Sequence, residues 1–303
     1  MPAILDLVEI GFGDELDPQG WKMLNQMRRI YQPNPLARAI YGTLADTDGF
    51  VCPSGSALVG NLSLRHAYPR STHGRLIGNV VVHPDHRGQG IGRALVEHAI
   101  QAAREEQATW VGLEVRADNE IASRLYDQLG FRVVGATVHM LRPKGLTWPN
   151  LGAPTQGWRR FTSPDSNRWK ELAARIHGHD QQLVLETRRE PFSLSSFEGW
   201  LDRVLARQVE DARVYPGQSN EIDLAVHTMA DRKHRFHVWD ILMSPDLEAK
   251  GAREVIAQCI AMVRRFPPWP VVAIVADQHL LVEQLRAVGF EIHRTLEQMI
   301  LWL

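Results

Sequence analysis

Only two cysteines, Cys52 and Cys259, stand in the 303 residues. They are far apart and match no metal-ligand spacing, so a disulfide framework is excluded by count and the chain reads as one kept in a reducing compartment. No run of about 18 apolar residues occurs, which excludes a membrane-spanning helix. Charge of either sign is not in excess: the net charge is −1 and the pI about 6.9. No whole-protein basic field therefore points to nucleic acid or to an anionic membrane. The first residues carry Asp6, Glu9 and Asp14 and no basic leader, unlike a secretory signal. A cytoplasmic protein is expected. What is present, 44% apolar and 23% charged residues, suffices for a sizeable core.

Between Arg142 and Thr155 the apolar periodicity stops, and Pro143, Gly145, Pro149, Gly152 and Pro154 crowd together. This marks a linker and predicts domains at 1–145 and 155–303, joined by 146–154. The halves resemble each other. Pro84-Asp85-His86-Arg87-Gly88-Gln89-Gly90 is matched by Pro245-Asp246-Leu247-Glu248-Ala249-Lys250-Gly251, 161 residues on. Leu129-Gly130-Phe131 is matched by Val288-Gly289-Phe290, and Met140 by Met299, each 159 residues on. Three matches in order argue for an internal duplication.

In the first half, Ile4–Ile10 reads as a strand and Pro18–Tyr31 as a helix. Phe50–Cys52 and Ala57–Leu64 flank a Pro53-Ser54-Gly55 turn, as in a hairpin. Leu76–Val82 is an apolar, β-branched run, expected as a buried strand. Ile91, Leu95, Ala99 and Ala102 fall at helical spacing. Trp110–Val115 reads as a strand. Ala122, Leu125, Tyr126 and Leu129 mark a second helix closed at Gly130, and Phe131–Leu141 a last strand. The fold class expected is α/β with a mixed sheet.

The segment from Val80 to Gly92 carries the chemistry. A strand ends at Pro84, and alternate glycines lead into a helix start. Glycine lets backbone approach a bulky anion. The unpaired N–H groups and dipole of a helix start attract phosphate, and Arg87 adds charge beside them. On these grounds an ordinary glycine-rich turn and a dinucleotide fold stay open. The latter needs a Gly-x-Gly-x-x-Gly spacing and an acid about 20 residues on; Glu114 fits the acid, but the glycines here alternate.

Val82-x-Pro84-x-x-Arg87-Gly88-x-Gly90-Ile91-Gly92 resembles the acyl-CoA loop of the GNAT superfamily of N-acetyltransferases. The run Leu113-Glu114-Val115-Arg116 through Asn119, Ala122, Leu125-Tyr126 to Gly130-Phe131 is similar to a second motif of that superfamily, and especially to that of its ribosomal-protein alanine acetyltransferases. The two, in order and correctly spaced, cover roughly residues 50–142. The resemblance implies two tandem GNAT-like domains and an acetyl-CoA-dependent N-acetyltransferase without a metal. Backbone at Val80 and Val82 would bind pantetheine. Amides of Gly88, Gln89, Gly90, Ile91, Gly92 and Arg93, beside Arg87, would take the pyrophosphate. Asn119 would cap its helix and reach the cofactor. Tyr126 would protonate the leaving thiolate, and Glu114 would act as general base. Each has a bland alternative: Tyr126 as core, Glu114 as a solvated residue on an open face, Asn119 as a plain N-cap.

His83 and His86 flank the loop. His177-Gly178-His179-Asp180 and the pair His234 and His237 lack the further ligands of a zinc site. Trp158, Trp200, Trp239, Trp269 and Trp302 are scattered and expected in core or interface. The second copy has Glu248, Ala249 and Arg253 where the first has Arg87, Gly88 and Gly92, with Leu285 for Tyr126 and Gln278 for Asn119. A glutamate facing pyrophosphate is electrostatically wrong, so that copy is expected to have kept its core and lost its site. Mycothiol synthase, a tandem member, shows a similar division with the worn copy first. An acyl-CoA-binding module without turnover, or an O- or longer-chain acyltransferase, is the alternative function. The partner expected besides acetyl-CoA is a primary amine, on a small molecule or a protein, with acceptor residues from loops such as Tyr31–Ala45 or His66–Arg75. Monomer or homodimer is open.

Overall fold

A computed structural model describes the chain except residues 1, 14–15, 19, 22–23, 26–27, 29–46, 68–71, 186–207, 218–220 and 248. The loop Tyr31–Ala45, part of His66–Arg75, Trp200 and Glu248 thus lie outside the described residues, as does much of Pro18–Tyr31. The described positions of that last stretch, Trp21 and Leu24 among them, are helical. The chain forms two compact units that are not continuous stretches of sequence. The first holds Met1–Val115, Asn119–Val133 and Gln298–Leu303; the second holds Arg116–Asp118 and Val134–Glu297.

The first unit opens with a helix, α1 (Pro2–Phe12), where alternation predicted a strand. The reason is chemical. Apolar residues at 4, 5, 7, 8 and 10 satisfy either period, but Pro2 presets a helical φ at the start. Only a helix brings Asp6 and Glu9 to one face, where both meet Arg28. The hairpin β1 (Thr47–Ser54) and β2 (Ala57–His66) follows as expected. Strand β3 (Gly74–Val82) pairs antiparallel with β2, and β4 (Trp110–Arg116) pairs parallel with β3. Helices α2 (Ile91–Glu105) and α3 (Glu120–Gln128) pack on the sheet. Val96, Ala99 and Ala103 of α2 are fully buried against Leu62, Val111 and Leu113. The chain's last residues complete this core: Met299 is fully buried among the same residues, and the Leu303 amide donates to the Thr109 carbonyl at 3.0 Å.

The second unit repeats the plan, with β5 (Arg132–Arg142) and the start of β11 (Glu291–Trp302) in its sheet. Its other strands are β6 (Arg159–Arg160), β7 (Gln208–Pro216), β8 (Ile222–Asp231), β9 (Phe236–Met243) and β10 (Val271–Ala276). β5 is antiparallel to β10, and β10 is parallel to β9. Helices α4 (Ser166–Ile176) and α5 (His179–Val184) precede the central strands; α6 (Ala249–Val263) and α7 (His279–Ala287) alternate with them. Helices α2 and α6 are both 15 residues long, α3 and α7 both nine. Both nine-residue helices end in the same hydrogen-bond pattern: Gly130 and Gly289 take positive φ, and the Phe131 and Phe290 amides reach back to the carbonyls of Tyr126 and Leu285. This is a Schellman end, which only glycine accepts without strain. The duplication read from sequence is thus repeated in local geometry.

One buried carboxylate of this unit is closely paired. Asp165 is nearly inaccessible and takes two hydrogen bonds of 2.6 Å from Arg159, with others from Thr162. The Arg159 guanidinium holds its carboxyl well below the usual carboxylate range. A depressed folded-state pKa stabilises fully above the unfolded value near 4, and that contribution is lost progressively as pH falls below it towards the lower folded-state value. Asp165→Asn is expected to cost about 1–3 kcal/mol at pH 7, read as a lower urea midpoint, with the gap to wild type closing below about pH 4.

Candidate acyl-CoA site

Four elements of the first unit converge. The β3–β4 ladder ends at Ile77 opposite Leu113, so Val80 and Val82 lie beyond the last pairing with β4. At the same place β3 bulges. Asn61 faces Val81 and Ser63 faces Gly78, leaving Asn79 and Val80 opposite Leu62 alone. Asn79 takes φ +50, a left-handed conformation that asparagine tolerates better than most side chains. It is held by the Asn61 amide, which donates to the Asn79 carbonyl at 3.0 Å, and by its own amide donating to Ser63 Oγ at 3.2 Å. Bulges re-aim backbone groups beside functional sites. The sequence reading missed Asn79; a polar residue after Gly78 inside an apolar run was the available signal.

From Val82 the chain passes through a short 3₁₀ turn, Pro84–His86, capped by the His83 ring, which accepts from the Asp85 amide. It then enters the glycine loop. Gly88 and Gly90 take φ +75 and +80, and a Cβ built on either meets nothing within 4 Å. The loop is therefore an open, exposed cradle at the N-terminus of α2, with Gly90 as N-cap. That geometry fits a pyrophosphate: unpaired helical N–H groups, glycine backbone and room. Arg87 lies at its edge, Nε 3.3 Å from the Val82 carbonyl. Arg93 is engaged by Gln128 and Glu97. Gly92 lies against Val82 and Leu125, which draws the strand end, the helix start and α3 together.

Val80, Ile91 and Tyr126 all pack on the same core cluster. Tyr126 is buried, and its ring meets Phe131 edge-on at 5.9 Å. Burial pushes its phenol up to about 12, so it keeps its proton through the neutral range. Asn119 caps α3, its Oδ1 accepting from the Ala122 amide at 3.1 Å. Glu114 alternates away from buried Leu113 and Val115, onto the face of β4 opposite Tyr126. Two groups on opposite faces of one strand reach a common atom only through the gap where β3 and β4 part. Gln298, which no sequence pattern indicated, donates from Nε2 to Glu114 Oε1 at 2.8 Å.

The corresponding place in the second unit is closed. By the 161-residue offset Ile241 stands for Val80, yet the β9–β10 ladder still pairs Ile241 with Val275. Gly251 is crowded, its built Cβ 2.8 Å from Leu247. The Gln278 side-chain amide donates to the Met243 carbonyl at 2.9 Å and makes no cap bond to its helix. A separate cleft of about 580 Å³ opens between α4, α5 and strands β9 and β10, lined by Trp169, Ala173, Leu242 and Ala276 among others. Beside it, His227 is buried between Glu210 and Asp240. Its pKa rises to about 9: burial alone would lower it, and the two carboxylates outweigh that cost. Among the described residues no three His, Cys, Asp or Glu groups stand as a metal-holding cluster, and no helix is long and apolar enough to cross a membrane.

Residues 21–131 match the acetyltransferase (GNAT) family. The chain's fold is that of a tandem GNAT protein from the clavulanic acid biosynthesis pathway, with a TM-score of 0.59 and 17% identity over 99% of this chain and 94% of that one. A GCN5-related N-acetyltransferase from Sphaerobacter thermophilus is equally similar, at TM-score 0.59 and 17% identity, over 99% and 91%. In sequence, the ribosomal protein bS18-alanine N-acetyltransferase of Escherichia coli (strain K12) is 47% identical over 53 residues, 18% of this chain. The mycothiol acetyltransferase of Nocardiopsis dassonvillei is 38% identical over 76 residues, 24% of this chain and 23% of that one. The match thus spans 36% of the length of the first of these relatives.

Proposed function

We propose that the chain is an N-acetyltransferase that moves the acetyl group of acetyl-CoA to a primary amine by direct attack, with the chemistry in the first copy. The observation that carries this reading is the gap beyond Ile77 and Leu113, lying at the same end of β3 as the open Gly88–Gly90 cradle. Pyrophosphate on the loop directs the pantetheine arm along Val80 and Val82, as an added strand. The thioester carbonyl then meets a β3 backbone N–H near the bulge, the donor a tetrahedral oxyanion requires.

An alkyl amine has a pKa near 10 and arrives protonated. Glu114, directly or through a water, takes one proton from it. The nitrogen lone pair forms a bond to the thioester carbon, and the carbonyl pair moves onto oxygen. Collapse breaks the carbon–sulfur bond as the nitrogen releases its remaining extra proton to solvent, and Tyr126 from the opposite face gives the departing thiolate its proton. Glu114 and Tyr126 exchange their protons through solvent before the next turnover. Asn119, Arg87 and Arg93 are assigned to cofactor contact and to holding the loop. The repeats at 1–145 and 155–303, joined by 146–154, are proposed as ancestral copies, of which the second has lost its cofactor site. A cytoplasmic setting fits this chemistry.

The acceptor is a proposal of class only. Relatives named for a ribosomal-protein alanine and for mycothiol match only 18% and 24% of this chain, so the similarity does not choose between their acceptors. Tyr126→Phe tests the mechanism. The phenyl ring fills the same core space, so thermal stability should hold. With the phenol at about 12, kcat should fall on the order of 10–100-fold across pH 6–10, with acetyl-CoA affinity unchanged. Undiminished kcat would remove Tyr126 from the reaction.

A further inference from the structure

We infer that Gln298 is a positioning residue for Glu114, so that the catalytic face of the first copy is completed by a residue from the last strand of the second. This rests on the reaction proposed above. Leu303 bonds to Thr109, and an antiparallel alignment with that contact carries Gln298 opposite Glu114. Their side chains meet at 2.8 Å. Gln298 is fully buried, and a buried amide is costly unless hydrogen-bonded. Its place is therefore fixed from below by Met299 and the core, and from the side by the strand.

The consequence for Glu114 is geometric. Glu114 is itself exposed, and an exposed carboxylate has several rotamers. A donor from the neighbouring strand engages Oε1 and narrows the orientations the carboxylate can take. Glutamine suits this role because it is neutral. A lysine or arginine at 298 would form an ion pair and make the carboxylate a poorer base. A carboxylate there would repel it. The repeat sharpens the point: the residue matching Gln298 in the first copy is His139, on β5, which pairs within the second unit opposite Ile274. The glutamine beside Glu114 is therefore supplied by the other repeat's sequence.

The test uses the full chain and two nucleophiles. A primary alkyl amine is protonated at pH 7 and needs a base; hydroxylamine is already neutral there and does not. Gln298→Met keeps the length and volume but removes the donor. It should lower kcat with the alkyl amine on the order of 10–100-fold. The rate with hydroxylamine, the KM for acetyl-CoA and its calorimetric affinity should stay within about twofold. Gln298→Glu should lower the alkyl amine rate further. Equal losses with both nucleophiles would mean a structural role and overturn the inference, as would no loss with either. Where wild type binds acetyl-CoA but turns over neither nucleophile, the acetyltransferase reading itself fails and takes this role with it. A variant that does not fold is recognised by its thermal transition; Gln298→Leu then carries the same comparison.

Discussion

Removing residues 298–303 is expected to unfold the first unit, although the deletion lies far in sequence from every motif. The tail supplies Met299 and Ile300, both fully buried, with Leu301 and Leu303 packed against the same core as Leu113 and Tyr126. Truncating one such side chain to alanine costs about 2–5 kcal/mol. Losing the whole strand end is comparable with the 5–15 kcal/mol that holds a typical domain together. Acetyl-CoA binding should vanish with the fold, since α3 and Tyr126 lose the wall they pack on. Met299→Ala alone should lower stability by about 2–4 kcal/mol in urea unfolding. A truncated chain with an unchanged thermal transition and unchanged acetyl-CoA affinity would contradict the assignment of this segment to the first unit.

The second large effect is expected at Gly90. The position is exposed and its built Cβ meets nothing, so a large side chain does not disturb the core. It would fill the cradle, and a non-glycine residue at φ +80 pays about 1–2 kcal/mol in backbone strain. Gly90→Trp should therefore keep the thermal transition within a few degrees and lose acetyl-CoA binding by 100-fold or more. Gly251→Trp is the contrast. Its site is already occupied by Leu247, so acetyl-CoA binding should be insensitive to it, while stability should fall.

The loop, the two helices that follow it and the glycine closing the second were legible because each is a local device. Alternate glycines before a helical period, and Gly130 after Leu129, state their geometry within a few residues. α1 was not legible, since Ile4-Leu5-Asp6-Leu7-Val8 satisfies two periods and the deciding contact, Arg28 with Asp6 and Glu9, spans the turn that follows. The bulge at Asn79 depends on the β2 partner opposite it. Gln298 was out of reach for a stronger reason. Its partner Glu114 lies 184 residues away, and the repeat pattern alone would assign that strand to the other copy. Glu114 and Tyr126 were found as residue types in a motif, and the alternation of Glu114 with Leu113 and Val115 already set it on the sheet face away from the core. What remained readable in the second copy was its core. Its closed ladder at Ile241 and its crowded Gly251 are packing facts that the exchange of Arg87 for Glu248 only hinted at.

One measurement bears most directly on the claim that a single functional acyl-CoA site survives, in the first copy. It is the stoichiometry of acetyl-CoA binding to the intact chain by calorimetry, repeated on Gly90→Trp. One molecule bound per chain in wild type and none in the variant is the predicted result. Two bound per chain, or one retained by Gly90→Trp, would contradict it.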